Sequence, residues 1–381
     1  MEFGIFNSLY LHHSMRDADP VGAEHNRLMD EVNWTKAADK AGFKYTWATE
    51  HHFLEEYSHL SANESFLGFI AGQTERIHIG TGIKNITPPV NHPARVAEQT
   101  AMLDHLSGGR FELGMGRGSS STEQRGFGIE DPELTKLMFD EVVGQLPKMW
   151  TEGTYAYEGQ YFRMPERMVL PKPYTLPHPP LWVAAGNPST FEKAARMGLG
   201  VLCFASTSRD DLARLIEVYK NAIDDADPVG GYVNNNVMVT SQMLCLEDGN
   251  RARQIASDMT SGYQNSLVYK YLDTFPKPPY VPDWPATIPE PSVELLEMAV
   301  KDGAVLIGSP EECEAACQKW VDTGADQLTF GMLSTTMPVE VAIEAVETFG
   351  STVLPVYDKD PVHSTTRQRE AQLGTNQPAG V

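Results

Sequence analysis

The stretch from Ile77 to Gly118 carries a strand, a turn, a helix and a second strand in immediate succession. Ile77 and Ile79 alternate with polar residues and then meet the flexible Gly80-Thr81-Gly82. His92-Pro93 opens a helix, because proline at the first helical position gives up only an N–H that would lack a partner anyway. Ala94, Val96, Ala97, Met102, Leu103 and Leu106 then recur near helical spacing. Gly108-Gly109 stops the helix, and Phe111 to Met115 supplies the next strand. Strands joined through a helix in this way run parallel, and parallel strands are covered by helices.

The same alternation continues along the chain. Further apolar strand candidates stand at Glu2 to Asn7, Phe43 to Thr49, Pro180 to Ala185, Gly200 to Phe204, Val237 to Leu246 and Gln327 to Met332. Helical patterns separate them, at Glu24 to Ala41, Ala62 to Gln73, Glu133 to Trp150, Arg209 to Asp224 and Val339 to Phe349. Eight strands alternating with helices predict an α/β fold of the (β/α)8 TIM-barrel type over residues 1–355. Residues of about 250–305 interrupt the pattern as an insertion before the last strand. A helical piece, Arg251 to Tyr271, leads there into FPKPPYVPDWPATIPEP, too rich in proline for regular structure. Gly153 to Pro180 suits a hairpin and a proline-rich excursion, and Leu11 to Gly22 a polar loop. Residues 356–381 are polar and aperiodic, and are expected to form a mobile tail. The rival architecture is a doubly wound sheet. Its dinucleotide fingerprint fails here, because Gly114, Gly116 and Gly118 are spaced GxGxG and followed by Ser119.

Composition narrows the partners. With 30 basic and 51 acidic residues the formal charge is −21, which repels nucleic acid and anionic membranes. No apolar run approaches the ~20 residues of a membrane span, and the start of the chain lacks an export signal. Cys203, Cys245, Cys313 and Cys317 suit packing in a reducing compartment, so a cytoplasmic location is expected.

In a barrel the site lies at the carboxyl ends of the strands. That places Asn7, Glu50-His51-His52, Gly82 to Asn85, Arg117, Gly186 to Thr190 and Phe204 around one cavity. Glu50-His51-His52 admits three readings: metal ligands, an acid/base pair or a hydrogen-bonded cluster. Adjacent residues at a strand end point different ways, which disfavours a shared metal, and none is expected. Imidazole titrates near neutrality, which favours an acid/base or hydrogen-bonding histidine, and taken alone such a motif is more often structural than catalytic. Arg117 together with the helix start at Gly186 to Thr190 suits a monophosphate. Ser189 is equally at home as a helix cap, and Arg117 could instead pair with Glu123.

Taken together these residues resemble the bacterial luciferase-like family of flavin-dependent monooxygenases. The likeness rests on Glu50-His51-His52-Phe53, IGTGI at Ile79 to Ile83, His92-Pro93-Ala94-Arg95, LDHLSGGRFELGMGRG from Leu103 to Gly118, and AAGNPST at Ala184 to Thr190. It implies reduced FMN as cofactor, supplied by a separate flavin reductase, reacting with O2 through a C4a-peroxyflavin to oxygenate a small organic substrate. It also implies a homodimer or related heterodimer. By the same likeness His51 is the catalytic histidine beside the flavin, Glu50 and Glu98 approach the ring or ribityl chain, and Gly82-Ile83 lies under the ring. Arg117 holds the phosphate, assisted by Gly186, Ser189 and Thr190. The chain departs from the luciferase subunit at Gly116, where that subunit has a reactive cysteine. It departs again near Leu134-Thr135, where the subunit has a second phosphate-binding arginine. Alternative readings are an F420-dependent oxidoreductase on the same barrel and a non-catalytic flavin-binding relative.

Overall fold

A computed structural model describes residues 1–54, 57–118, 120–204, 208–258, 293–331 and 337–374. Its strands in chain order are β1 (Glu2–Asn7), β2 (Tyr45–Ala48), β3 (His78–Thr81), β4 (Lys84–Asn85), β5 (Phe111–Gly116), β6 (Tyr155–Glu158), β7 (Arg163–Arg167), β8 (Leu181–Ala184), β9 (Gly200–Phe204), β10 (Val237–Cys245), β11 (Leu306–Gly308) and β12 (Gln327–Gly331). Eight of these pair in parallel in the order β1, β2, β3, β5, β8, β9, β10, β12, and β12 returns to β1 to close a barrel. Each predicted strand is one of the eight. Strands covered on both faces read as continuous apolar runs, which is why β10, VMVTSQMLC, is almost wholly buried.

The barrel interior is aromatic. Trp47 and Trp182 meet edge to face with centroids 5.2 Å apart, and Tyr45 stacks beside Trp47 at 6.2 Å. Gly80 makes this possible: a Cβ there would stand 2.4 Å from the Trp47 ring. Outside, the helix Ala23–Ala41 packs beside the helix Val339–Thr352, and Phe3, Phe43, Phe330 and Phe349 interlock beneath them.

Four expectations change. The helix foreseen over Glu133 to Trp150 is two helices, Leu134–Val143 and Leu146–Thr151, broken at Gly144 and restarted with Pro147 in the first turn. The loop Leu11 to Gly22 contains a short helix, His13–Ala18. The insertion begins with a helix, Gly249–Ser257, and ends with another, Val293–Asp302. Most of Arg251 to Tyr271 beyond that first helix, and all of Phe275 to Pro291, lie outside the described residues. After it comes the unforeseen β11, which extends the second half of β10. The fourth change is at the C-terminus, where Ser364–Leu373 forms a helix across the amino end of the barrel. Ser364 Oγ donates to Glu2 (2.7 Å) and Thr365 Oγ1 to Glu112 (2.7 Å), while Gln368 and Gln372 bond the backbone of Asn235 and Val233. Polar contacts anchor this helix, so its sequence shows no apolar period. The antiparallel β6–β7 hairpin stands outside the barrel, as expected of that composition.

Candidate active site

The carboxyl ends of β2, β3, β5 and β8 are neighbours in the barrel, and they carry the expected site residues. Beyond β2 the two histidines diverge. The His51 Nδ1 lies 3.0 Å from Glu123 Oε1, and the same oxygen accepts the backbone N–H of His52 at 2.9 Å. The edge of the His51 ring meets Tyr57, centroids 4.6 Å apart. Glu123 sits on the short helix Ser121–Gly126, whose start is capped by Ser120. His52 turns the other way, its Nε2 3.1 Å from Glu50 Oε1.

Glu50 is bonded on both oxygens within the protein. Oε1 also accepts from Asn91 Nδ2 (2.7 Å), and Oε2 accepts from the Asn85 N–H (3.1 Å) and pairs with Lys84 (3.2 Å). Burial alone would raise its pKa, but the bonds from His52 and Asn91 and the charge of Lys84 hold it below the ordinary carboxylate range. Both oxygens are used in fixing the Lys84 to Asn91 turn. Glu98 is half-buried on its helix, with Arg95 and Met102 each one turn away on either side, and its carboxylate pairs with Arg95. Its buried neighbours Ala97 and Ala101 face the barrel instead.

Between these groups lies the Gly82-Ile83 peptide, which is cis. Asn63 Nδ2 donates to Ile83 O (3.2 Å) and Ala48 O (3.3 Å), tying the end of β3 to that of β2. Ile83 and Phe204 are partly buried on the aromatic cluster that includes Phe6, Trp47 and Trp182. Gly116 makes room for Ile83: a Cβ at 116 would stand 2.6 Å from its Cδ1.

Beyond β5, Arg117 Nη1 donates to Thr135 Oγ1 (2.8 Å), and Glu123 is taken up by the histidines instead. Burial lowers the Arg117 pKa, against the pull of Glu133 and Asp140, and the guanidinium remains charged. Beyond β8 the cap is Asn187, whose Oδ1 accepts the Thr190 N–H (3.1 Å) and the Ser189 hydroxyl (2.7 Å). Thr190 Oγ1 in turn accepts the N–H groups of Gly186 and Asn187, both at 3.2 Å. Lys193 on this helix pairs with Asp140 on Leu134–Val143, the helix that also carries Thr135. One helix therefore ties Arg117 to the helix that follows β8.

The arrangement fits a flat, phosphorylated cofactor. Ile83 and Phe204 offer an apolar surface, and Arg117 and the exposed start of Pro188–Arg196 offer charge and a helix N-terminus. An open cleft of about 570 Å³ adjoins His51, walled by Leu9, Leu28, Phe53 and Leu54. Sequence reasoning missed Glu123 as the partner of His51, Thr135 as the partner of Arg117, and Asn187 as the cap. Only Asn187 had a local signal, since Asn before Pro at a helix start is a common capping pattern.

The sequence profile of the luciferase-like monooxygenases matches residues 1–327. The flavin-dependent trigonelline monooxygenase, oxygenase component, of Acinetobacter baylyi is 31% identical over 179 residues, 46% of this chain and 48% of that protein. The alkanal monooxygenase alpha chain of the Kryptophanaron alfredi symbiont is 27% identical over 238 residues, 62% of this chain and 65% of its own length. Each of these two matches therefore spans less than two thirds of the relative. Among solved structures, monooxygenase RslO1 from Streptomyces bottropensis superposes with a TM-score of 0.76 at 26% identity, covering 94% of this chain and 100% of its own. The oxygenating constituent of 3,6-diketocamphane monooxygenase from Pseudomonas putida, in complex with FMN, gives 0.74 at 18% identity over 93% and 98%. An F420-dependent secondary alcohol dehydrogenase gives 0.68 at 17% over 94% and 99%. The last two are similar in fold.

Proposed function

This chain belongs to the luciferase-like monooxygenase family, and from that premise we propose that it is an FMN-dependent monooxygenase acting on a small organic substrate. In this reading it is a cytoplasmic, dimeric oxygenase component that receives reduced FMN from a separate flavin reductase. The relative named as an oxygenase component and the FMN complex on the same fold support both points. Reduced FMN supplies the electrons and the site of O2 activation, delivering one oxygen atom to the substrate and the other to water.

The observation that carries the proposal is the order of groups along neighbouring strands. His51 follows β2, the Gly82-Ile83 floor follows β3, Arg117 follows β5 and the Asn187-capped helix follows β8. A proton-transfer group, an apolar floor and a phosphate anchor thus succeed one another as the parts of FMN do, from ring to tail. Arg117, with the Gly186 to Thr190 helix start, binds the phosphate. Ile83 and Phe204 bear on the ring and keep water from it. His51 exchanges a proton through the nitrogen that Glu123 leaves free.

The experiment is a binding and oxygen-reaction assay on the purified full chain. Reduced FMN is titrated anaerobically, F420 in parallel, and the FMN complex is then mixed with oxygen. Binding of FMN with a rate of reoxidation distinct from that of free reduced FMN supports the proposal. Tight binding of F420 without binding of FMN assigns the chain to hydride transfer instead, the chemistry of the F420-dependent neighbour. FMN binding with the reoxidation rate of the free cofactor marks a flavin-binding relative without turnover.

A further inference from the structure

The one carboxylate oxygen that holds both the His51 ring and the His52 backbone belongs to Glu123, which the sequence assigned elsewhere. Glu123 is buried, and its other oxygen, Oε2, is buried with no hydrogen-bond partner among the described residues. A carboxylate is an acceptor only, so the imidazole atom facing it must be Nδ1–H. The His51 ring has little freedom to turn away. Tyr57 stands against it edge on, and the His51 N–H is bonded to Leu60 O at 3.3 Å. Among the described residues Nε2 has no hydrogen-bond partner, while His51 lines the open cleft. The tautomer therefore follows from the partner of the other nitrogen.

We infer that Glu123 is the positioning residue that keeps His51 protonated on Nδ1 and so leaves Nε2 as the proton acceptor presented to the ligand. When Nε2 takes a proton, the resulting imidazolium lies against the Glu123 carboxylate, which stabilises it without itself changing protonation. The same oxygen fixes the His52 N–H, so the loop that sets the position of the ring is held by the group that sets its tautomer. His52, whose Nε2 lies on Glu50, does not line the cleft, and its ring meets Phe127 edge to face at 4.8 Å. Thr122 and Gln124, the neighbours of Glu123, offer no equivalent carboxylate. The inference rests on the proposed role of His51 in flavin chemistry, but its structural half is independent of any cofactor.

The test uses full-length protein labelled with 15N-histidine, with the His51 signals identified by their loss in His51→Gln. In the wild type, at a pH where the His51 signals have become those of the neutral ring, the spectrum shows Nδ1 protonated and Nε2 bare. In Glu123→Gln, whose amide can also donate, a substantial population becomes protonated on Nε2, and Glu123→Asp restores the native tautomer in part. In parallel, reoxidation of protein-bound reduced FMN by oxygen is followed by absorbance. Glu123→Gln changes that rate in the direction of His51→Ala, by about tenfold, with FMN affinity within about twofold of wild type. The double variant is no worse than His51→Ala alone. An unaltered His51 tautomer in Glu123→Gln overturns the inference, as does an altered tautomer with an unaltered rate where His51→Ala itself changes the rate. If His51→Ala leaves reoxidation unchanged, the catalytic reading of His51 fails, and the spectrum still decides whether Glu123 sets the tautomer. Should Glu123→Gln fail to fold, Glu123→Ala takes its place, since a wholly native His51 tautomer with the carboxylate removed overturns the inference.

Discussion

Glu112 Oε1 and His78 Nδ1 meet at 2.8 Å inside the amino end of the barrel. Burial pushes the Glu112 carboxyl up to about 8, against the bonds it accepts from Thr365 and Trp182. Burial, followed by the charge of Arg110, pushes His78 down to about 3. The short contact is therefore a neutral hydrogen bond rather than an ion pair. Unfolded Glu titrates near 4.5, so between there and about 8 the folded chain holds the extra proton, and its stabilisation is lost as pH rises. For His78 the sign reverses, and stability is gained as pH rises from about 3 to 6.5. The two cancel where the windows overlap, and Glu112 alone acts between 6.5 and about 8. Stability measured by urea unfolding is expected to fall across that upper window by about 1 kcal/mol per pH unit. Glu112→Gln, which keeps an acceptor for only one of Trp182 and Thr365, should lower stability at every pH and flatten the slope. An equal slope in both proteins would remove Glu112 as its cause.

Arg117→Ala separates the phosphate from the ring. FMN should bind about 30-fold more weakly, the worth of a charged hydrogen-bonding partner, while riboflavin changes by no more than about twofold. Thr135→Val, which removes the hydroxyl that accepts from Nη1 and donates to Pro132 O, should give a smaller loss in the same direction. Equal losses for FMN and riboflavin would refute the phosphate assignment.

Gly116→Ala tests the floor. The added Cβ would lie 2.6 Å from Ile83 Cδ1, so the isoleucine side chain must shift. Overpacking of this kind costs about 1–3 kcal/mol, expressed as a lowered thermal midpoint with the fold retained. If Ile83 bears on the ring, affinity for FMN and for riboflavin falls together, in contrast to Arg117→Ala. A lower midpoint with unchanged affinity for both would place the ring elsewhere.

The barrel was legible because its strands are covered on both faces and so read as short apolar runs between amphipathic helices. Phe111 to Met115 and Val237 to Leu246 need no tertiary information to be recognised. The site was legible only as far as local order reaches. Arg117 and the helix start after β8 follow from strand ends, whereas the pairing of His51 with Glu123 joins residues 72 positions apart and has no local signature. Periodicity alone does not fix which face of a helix is buried: Met102 and Leu106 fit the apolar spacing of their helix, yet they are 49% and 59% exposed. The C-terminal helix escaped notice because serine, threonine and glutamine hold it, and hydropathy cannot distinguish a polar anchor from a polar tail.

That helix carries the last prediction. Ending the chain after Val362 removes the Ser364 N–H (2.9 Å) and hydroxyl (2.7 Å) from Glu2, and the Thr365 hydroxyl (2.7 Å) from Glu112. Glu2 would retain Lys44 and Tyr45, and its pKa, now held down against burial by Lys44 and Ser364 among others, would rise. Leaving buried acidic groups short of donors costs about 1–3 kcal/mol each. The truncated chain should therefore unfold at lower urea by about 4 kcal/mol in total. Its FMN affinity should stay within about twofold of the full chain, because the helix covers the amino end of the barrel and His51 and Arg117 stand at the carboxyl end. Undiminished stability on truncation would show that residues 363–381 are the dispensable polar tail their composition suggests.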